Sequence, residues 1–284
     1  MANRSFDSIF SVDVEDWYHI LDVAAAPELA QWDGLPSRVE RNFGRLMDIF
    51  AADDVKSTCF FLGWVAERYP QLVKGAYERG HEIASHGYGH KLIYEMTASE
   101  FYEDAVRSKK ILEDLIGGPV SGFRAAGFSV IDEVPWFFEK LVGADYRYDS
   151  SVFPASRGHG GMKTSQLAPY RMTFGEKSFV EFPLTVVRLA GQNLCFFGGG
   201  YLRLFPYSII KKMAARAAGE GRPVIYYVHP REIDPEHPRL PMNIYRKFKS
   251  YVNLNTTENK LRRLFADFKF TRFIDCLDRV APSE

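Results

Sequence analysis

The chain has 284 residues, which is enough for one large barrel or two small domains. Hydrophobic residues make up 46% and charged residues 25%, as in ordinary soluble globular proteins. Lysine plus arginine equals aspartate plus glutamate at 36 each, so no overall electrostatic field would attract nucleic acid or an anionic membrane.

Three further features bear on the compartment. The sequence has no run of 18 apolar residues that would predict a transmembrane helix. Residues 1–10 contain no apolar signal segment. Cysteines Cys59, Cys195 and Cys276 are far apart and odd in number, which is typical of free thiols in a reducing compartment. We therefore expect a cytoplasmic protein.

Strand-like and helical segments alternate through the first half of the chain. The helix that starts near Pro36 has its apolar side chains on one face, and proline is favoured in the first turn of a helix. The predicted elements, in chain order, are strand Ser8–Val14, helix Pro36–Phe50, strand Ser57–Leu62, helix Trp64–Arg79, strand His81–Ser85, helix Ser99–Leu115, strand Gly122–Ala126, helix Glu133–Leu141 and strand Tyr146–Ser151.

The alternation stops at residues 152–222, which are rich in glycine, proline and aromatic residues, and it resumes with a strand at Pro223–Val228. A helix at Glu258–Phe268 and a strand at Phe270–Ile274 follow. Alternating strands and helices predict an α/β fold with a mainly parallel sheet. We interpret residues 152–222 as an elaboration of the same single domain, packed near its mouth.

The unusual polar residues follow the carboxyl ends of predicted strands, where barrels of parallel strands assemble their active sites. They are Asp13, Glu15, Asp16, His86, His90, Arg124, Asp149 and His229.

Two of these groups suggest a metal site. His86 and His90 are four residues apart and can turn toward one divalent ion, although a pair of exposed loop histidines is the simpler alternative. Asp13 and Glu15 point to the same face of an extended strand, and the acidic cluster that they form with Asp16 requires a cation or an arginine, unless it only caps a helix. Two imidazoles and one carboxylate would leave positions open for water and substrate.

Five segments in order resemble the motifs of the polysaccharide deacetylase family, also called the NodB-homology or carbohydrate esterase 4 family. The resemblance spans roughly Ser8 to Phe270 and implies a distorted (β/α)7-type barrel. The segments are Ser11-Val-Asp-Val-Glu-Asp-Trp17, Ser85-His-Gly-Tyr-Gly-His90, Phe123-Arg-Ala-Ala-Gly127, Tyr148-Asp-Ser-Ser-Val-Phe-Pro154 and Tyr227-Val-His-Pro230.

The resemblance also implies roles for individual residues. Asp13 would be the base, oriented by Arg124, and His229 the acid, supported by Asp149. A divalent ion, zinc or alternatively cobalt, nickel or manganese, would be held by His86, His90 and one further carboxylate. A backbone N–H near Gly127 would stabilise the oxyanion, and the side chains expected to contact substrate are Trp17, Tyr88, Phe128 and Tyr201.

Two motifs depart from the family pattern. The first motif usually has two adjacent aspartates, whereas here the acids are spread, so the metal carboxylate is Glu15 or Asp16; relatives with an Asp-Val-Asp pattern favour Glu15. The third motif has Ala126-Gly127 in place of a proline and an aromatic residue. Three further segments resemble a bacterial subgroup associated with exopolysaccharide or surface-glycan assembly: Gly198-Gly-Gly-Tyr-Leu-Arg203, His229-Pro-Arg-Glu-Ile-Asp-Pro235 and Tyr251-Val-Asn-Leu-Asn255. Members of this subgroup carry a C-terminal extension, which the resemblance places at residues 230–284.

These features predict metal-dependent hydrolysis of the N-acetyl group of an N-acetylated sugar or glycan intermediate, with release of acetate. One alternative is a hydrolase of the same superfamily that acts on a small non-glycan amide. Another is a non-catalytic glycan-binding protein, which would need neither a base nor an acid.

Overall fold

The structure, a computed structural model, describes residues 8–155, 160–162 and 164–280. The strands in this part are β1 (Ser8–Val14), β2 (Thr58–Phe61), β3 (Glu82–Ser85), β4 (Gly122–Phe123), β5 (Tyr148–Asp149), β6 (Tyr170–Phe174), β7 (Lys177–Glu181), β8 (Val186–Leu189), β9 (Gln192–Cys195), β10 (Ile225–Val228) and β11 (Phe270–Thr271). The helices are α1 (Val39–Ala52), α2 (Gly63–Arg68), α3 (Pro70–Glu78), α4 (Ala98–Ile116), α5 (Phe137–Gly143), α6 (Gly199–Leu204), α7 (Tyr207–Gly219), α8 (Ile244–Tyr251) and α9 (Thr257–Asp267).

One curled sheet organises the molecule. Its strands lie in the order β10-β1-β2-β3-β4-β5-β7, with each neighbouring pair parallel, and β6 adds to the far edge in the antiparallel direction. The short β11 also pairs with β1. The predicted α/β fold is confirmed as a half-barrel of parallel strands.

The sheet is covered on both faces, and strand β1 shows why. Its side chains alternate, so Ile9, Ser11 and Asp13 point to one face while Phe10 and Val12 point to the other. Phe10 and Val12 belong to the large core beneath the helices, whereas Ile9 belongs to a smaller core inside the curl. The inner face is therefore apolar near the start of β1 and polar toward its end.

Two helices differ from the prediction for identifiable reasons. The helix expected at Pro36–Phe50 begins at Val39, because the backbone N–H groups of Arg38 and Val39 donate to the Asp16 carboxylate. The single helix expected at Trp64–Arg79 is divided into α2 and α3 at Pro70, whose ring cannot supply the N–H that a continuous helix needs.

Residues 152–222 contain two hairpins that the sequence did not predict. Strand β7 extends the main sheet by pairing with β5, and β8 pairs with β9. The β8–β9 turn has positive φ at both Ala190 and Gly191, as two-residue hairpin turns favour. This segment thus contributes directly to the curled sheet.

The cysteines and the helices bear on two features of the sequence. Cys59, Cys195 and Cys276 are all buried, and no disulfide bond joins them. No helix in the described ranges combines the length and apolarity needed to cross a membrane.

Candidate active site

Strand register brings the polar residues together. Val12 pairs with Val228, so Asp13 and His229 leave neighbouring strands at the same edge. Ser85 pairs with Phe123, which likewise places His86 beside Arg124. Residues that are remote along the chain therefore meet at the carboxyl ends of parallel strands.

Glu15, His86 and His90 form a buried cluster that could hold a metal ion. Oε1 of Glu15 lies 3.1 Å from Nε2 of His86 and 2.9 Å from Nε2 of His90. Burial raises the pKa of Glu15, but the charges of His90 and His229 and the hydrogen bonds with both cluster histidines outweigh it and hold that pKa well below the usual value. The carboxylate is therefore ionised.

The hydrogen bonding of His86 suits metal binding. Its Nδ1 lies 2.8 Å from the carbonyl oxygen of Arg124, which can only accept, so Nδ1 carries the proton. With the proton on Nδ1, loss of the proton on Nε2 leaves a lone pair beside the Glu15 carboxylate that a metal ion could accept. In metal proteins, a hydrogen bond from the ring nitrogen that does not bind the metal orients a histidine ligand in this way.

The loop that carries the histidines is held in an unusual backbone conformation. Gly87 has φ of +72°, and a Cβ there would lie 2.9 Å from a carboxylate oxygen of Asp104. Asp104 of α4 accepts from the backbone N–H of Tyr88 at 2.9 Å, and His90 itself has φ of +54°. Such strain persists only where surrounding contacts impose it, and here it turns His90 toward Glu15.

Asp16 faces away from this cluster. Its carboxylate accepts from the Ser37 hydroxyl at 2.6 Å and from the backbone N–H groups of Trp17, Arg38 and Val39. It therefore satisfies donors at the start of α1, where a negative charge is favourable. Of the two acids that the sequence left open, the structure brings Glu15 to the histidines.

Asp13 and Arg124 form a buried ion pair next to the metal cluster. Nη1 of Arg124 donates to Oδ1 of Asp13 at 2.6 Å and to the Ser11 hydroxyl at 2.9 Å. Its other donors contact the backbone and hydroxyl oxygens of Ser150, and the Phe60 ring lies 4.1 Å from the guanidinium. A buried guanidinium in a fixed position therefore orients its carboxylate partner.

His229 lies on the other side of Asp13, and its ring partner is Glu232. Nδ1 of His229 is 2.6 Å from the Glu232 carboxylate, while Nε2 is 3.9 Å from Asp13 and 3.6 Å from Glu15. Burial lowers the pKa of His229, but Glu15 and the hydrogen bond with Glu232 outweigh it and raise the pKa above 6.5. The arrangement favours a protonated ring whose Nε2 faces the site.

Asp149, which the resemblance assigned to support His229, has different partners. Its carboxylate accepts from the Ser151 hydroxyl at 2.6 Å and from the Ser151 backbone N–H at 2.9 Å. Because β5 pairs with β7, it also lies opposite Glu181, whose pKa is raised well above its usual range by burial and by the Asp149 charge. The strand that supplies Glu181 was not predicted, so this contact could not be foreseen.

These groups open into a cavity of about 690 Å³. Of the residues expected to contact substrate, Phe128 and Tyr201 line it, as does Gly127, with φ of +60°, in the turn after β4. Trp17 lies elsewhere, with its indole donating to Pro36, and the Tyr88 hydroxyl donates to Glu67 under the Arg107 guanidinium.

Arg203, which anchors Glu232, was not predicted from the sequence. Arg203 of α6 is buried, and its Nε lies 3.4 Å from Glu232. Its other nitrogens donate to the carbonyl oxygens of Lys249, Ser250 and Val252 at the end of α8. Arg203 thus connects α8 to the partner of His229. The available signal was the spacing of His229 and Glu232, which face each other across one short 3-10 turn.

We expect Glu232→Gln to weaken His229 as an acid. Losing the Glu232 charge lowers the pKa of His229, so protonated His229 is lost at lower pH and the alkaline limb of kcat/KM moves to lower pH. We also expect a rate loss of roughly 10–100-fold at the plateau. Steady-state pH profiles measure both, with the exposed Glu236→Gln as the matched control. An unmoved alkaline limb would contradict this role.

Comparison with known proteins gives the site a context. Residues 31–142 match the family model described as polysaccharide deacetylase, and residues 150–278 match a domain of unknown function, DUF3473. The predicted resemblance to a polysaccharide deacetylase domain is confirmed by this match. The chain is 32% identical over 73 residues to a peptidoglycan-N-acetylglucosamine deacetylase of Bacillus cereus, covering 26% of each chain.

A second relative is the peptidoglycan deacetylase of Helicobacter pylori, 27% identical over 114 residues, which are 38% of this chain and 36% of the relative. The chain thus spans between a quarter and two fifths of the curated relatives that it matches.

Solved structures share the fold at low sequence identity. A Mycobacterium smegmatis chain assigned to the polysaccharide deacetylases has a TM-score of 0.63 at 17% identity, covering 98% of this chain and 94% of the other. PuuE allantoinase has a TM-score of 0.62 at 16% identity, with 98% and 90% covered. A carbohydrate esterase 4 pseudoenzyme from Bacillus anthracis has 0.54 at 11% identity, with 98% and 67% covered. The fold therefore accompanies several activities, and function must be argued from the site.

Proposed function

We propose that the protein hydrolyses the N-acetyl group of an N-acetylated sugar in a glycan or glycan precursor, and that it does so with a divalent metal ion. The observation that carries the proposal is the convergence of three units in one cavity. These units are the Glu15–His86–His90 cluster, the Asp13–Arg124 pair and the His229–Glu232 pair.

The metal cluster suits zinc best, with cobalt, nickel and manganese as alternatives. Two imidazole nitrogens and one carboxylate oxygen are the donor types of catalytic zinc sites. When bound there, the ion would act as a Lewis acid and lower the pKa of a coordinated water to ~7.

The remaining chemistry belongs to the side chains around this cluster. Asp13, oriented by Arg124, accepts a proton from the water as the water oxygen bonds to the acetyl carbon. The C–N bond then breaks, and His229 gives its proton to the departing amine, so that acetate and an amino sugar leave. Gly127 lies along the cavity wall, where a backbone donor to the developing oxyanion is worth ~3–4 kcal/mol.

The size of the cavity supports a sugar over a small amide. Its volume of about 690 Å³ is in the range of sites that enclose drug-sized ligands, and the aromatic side chains Phe128, Tyr201 and Tyr245 are among its lining. Such rings pack against the apolar faces of sugars. The resemblance to the surface-glycan subgroup supports a role for this reaction in polysaccharide biosynthesis.

Acetate release tests the proposal. Chelator-treated protein, alone and reloaded with zinc, is assayed on chitooligosaccharides, on nucleotide-linked N-acetyl sugars and on allantoin. We expect acetate release that depends on zinc and on an N-acetyl sugar. Turnover of allantoin alone would support the small-amide alternative. Tight glycan binding without turnover, unchanged by Asp13→Asn, would support a non-catalytic binding protein.

A further inference from the structure

The end of the cavity that faces the C-terminal segment is strongly cationic. Helices α6 and α8 and the 3-10 turn after β10 build this wall. Its basic lining residues are Arg203, Arg231, Arg246 and Lys249, and its acidic ones are Glu232 and, in the loop that contacts α8, Asp22.

Two of these cations already have partners. Arg203 is bound to Glu232 and to three carbonyl oxygens of the α8 terminus. Arg246 donates to the carbonyl oxygen of Leu21 and so fastens α8 to the loop that follows β1. These two residues therefore hold α8 in position at this wall of the cavity.

Arg231 is different, because it forms no ion pair with a carboxylate among the described residues. Its Nε and Nη1 are shielded from solvent and have no hydrogen-bond partner in the described residues. The neighbouring Glu232 is engaged by His229 and Arg203. A shielded charged donor without a partner is costly, and proteins retain such groups where a ligand completes them.

Lys249 adds a second available charge on the same wall. Its side chain is exposed, and its ammonium lies 4.3 Å from the ring centroid of Tyr245, with no carboxylate partner in the described ranges. Lys249 lies three residues after Arg246 on α8, and both side chains line the cavity. Phosphate and carboxylate groups in proteins are usually bound by arginine guanidinium groups, which can donate two parallel hydrogen bonds, and by lysine ammonium groups.

The part of the cavity around Asp13 differs in charge. The Asp13 carboxylate lies outside the metal cluster and repels an anion. A substrate with an anionic group would therefore bind in one orientation, with the anion at Arg231 and the acetamido group near Asp13 and His229.

We propose that the substrate carries an oxyanion, a phosphate or a carboxylate, which binds to Arg231 with Lys249 beside it. This inference rests on the proposed function, since it names the class of N-acetylated sugar that the site accepts. The phosphate would belong to a nucleotide- or lipid-linked sugar and the carboxylate to a uronic acid.

Binding in a background without turnover tests the proposal. Zinc-loaded Asp13→Asn protein is titrated calorimetrically with N-acetylglucosamine 1-phosphate, with an N-acetylated aminouronate and with the uncharged methyl glycoside of N-acetylglucosamine. We expect at least one anionic sugar to bind about tenfold more tightly than the methyl glycoside, and the preference to shrink with salt. The preferred probe distinguishes a phosphate-linked substrate from an acidic sugar.

Arg231→Gln in the same background should remove this preference, whereas Arg216→Gln, an equal charge change on the exposed side of α7, should retain it. If Arg231→Gln lowers the Tm, Lys249→Gln provides the second test and should weaken binding of the anion about threefold. Equal affinities for the three sugars, or an anion preference that survives both substitutions, overturns the proposal. An absence of acetate release by the wild type would instead refute the proposed function.

Discussion

Asp13→Asn should lose almost all turnover while it retains the metal ion. An amide cannot accept the proton that a carboxylate takes from water, and general base catalysis is worth about 10²–10⁴-fold. The amide oxygen can still accept from Arg124, which lies 2.6 Å from the native carboxylate oxygen, so the local geometry should persist. Acetate release and metal content per chain give the two readouts.

The matched control for this variant is Asp48→Asn, which makes the same change on the exposed side of α1. It should leave both acetate release and metal content at wild-type levels. Asp13→Asn protein that keeps more than about a tenth of wild-type kcat would remove Asp13 from the role of base.

Glu15→Ala should abolish metal binding, whereas Asp16→Ala should retain it. Glu15 contacts both histidines. Its removal takes away the carboxylate of the three-residue cluster and leaves only two imidazoles to bind the metal ion. Asp16 instead satisfies donors at the start of α1, so its loss should cost about 1–2 kcal/mol of stability. Elemental analysis measures the metal, and thermal unfolding measures the stability.

Thermal unfolding with and without added zinc gives a second measure of metal binding in the two variants. An ion that binds only the native state raises the Tm, and this rise should be present in Asp16→Ala and absent in Glu15→Ala. Folded Asp16→Ala protein without metal, or Glu15→Ala protein that still binds zinc at wild-type affinity, would contradict the assignment.

Much of the fold was predictable because parallel strands buried on both faces leave a local signal. Ser8–Val14 was predicted with its observed bounds, and the predicted strand at Ser57–Leu62 differs from β2 by one residue at each end. Hydrophobic continuity and the flanking turns suffice in such segments. The break at Pro70 shows the limit of periodicity alone, since an apolar face continues across two separate helices.

The residues of the candidate site were predictable where the chain places them at the end of a strand. Asp13, His86, Arg124 and His229 were recognised in this way, and the structure brings them within one small region. Glu232 was not recognised, because its spacing from His229 becomes informative only when the short 3-10 turn between the two residues is known. The choice between Glu15 and Asp16 depends on which carboxylate meets the start of α1, which is a tertiary contact.

Sequence patterns did not predict the part of the site that α8 contributes. That helix is amphipathic, yet Ile244, Tyr245 and Phe248 on it are largely exposed. From periodicity alone, we would expect such an apolar face to be buried. Only the contacts of Arg203 and Arg246 show that α8 lies over the cavity.

Arg203 has a consequence for any attempt to redesign this protein as separable modules. The same guanidinium fastens the end of α8 and offsets the charge of Glu232, the partner of the acid. A chimera that kept the barrel and received residues 243–252 from another protein would free this guanidinium to move. Selectivity and proton delivery would then change together, so these two properties cannot be engineered independently along this wall.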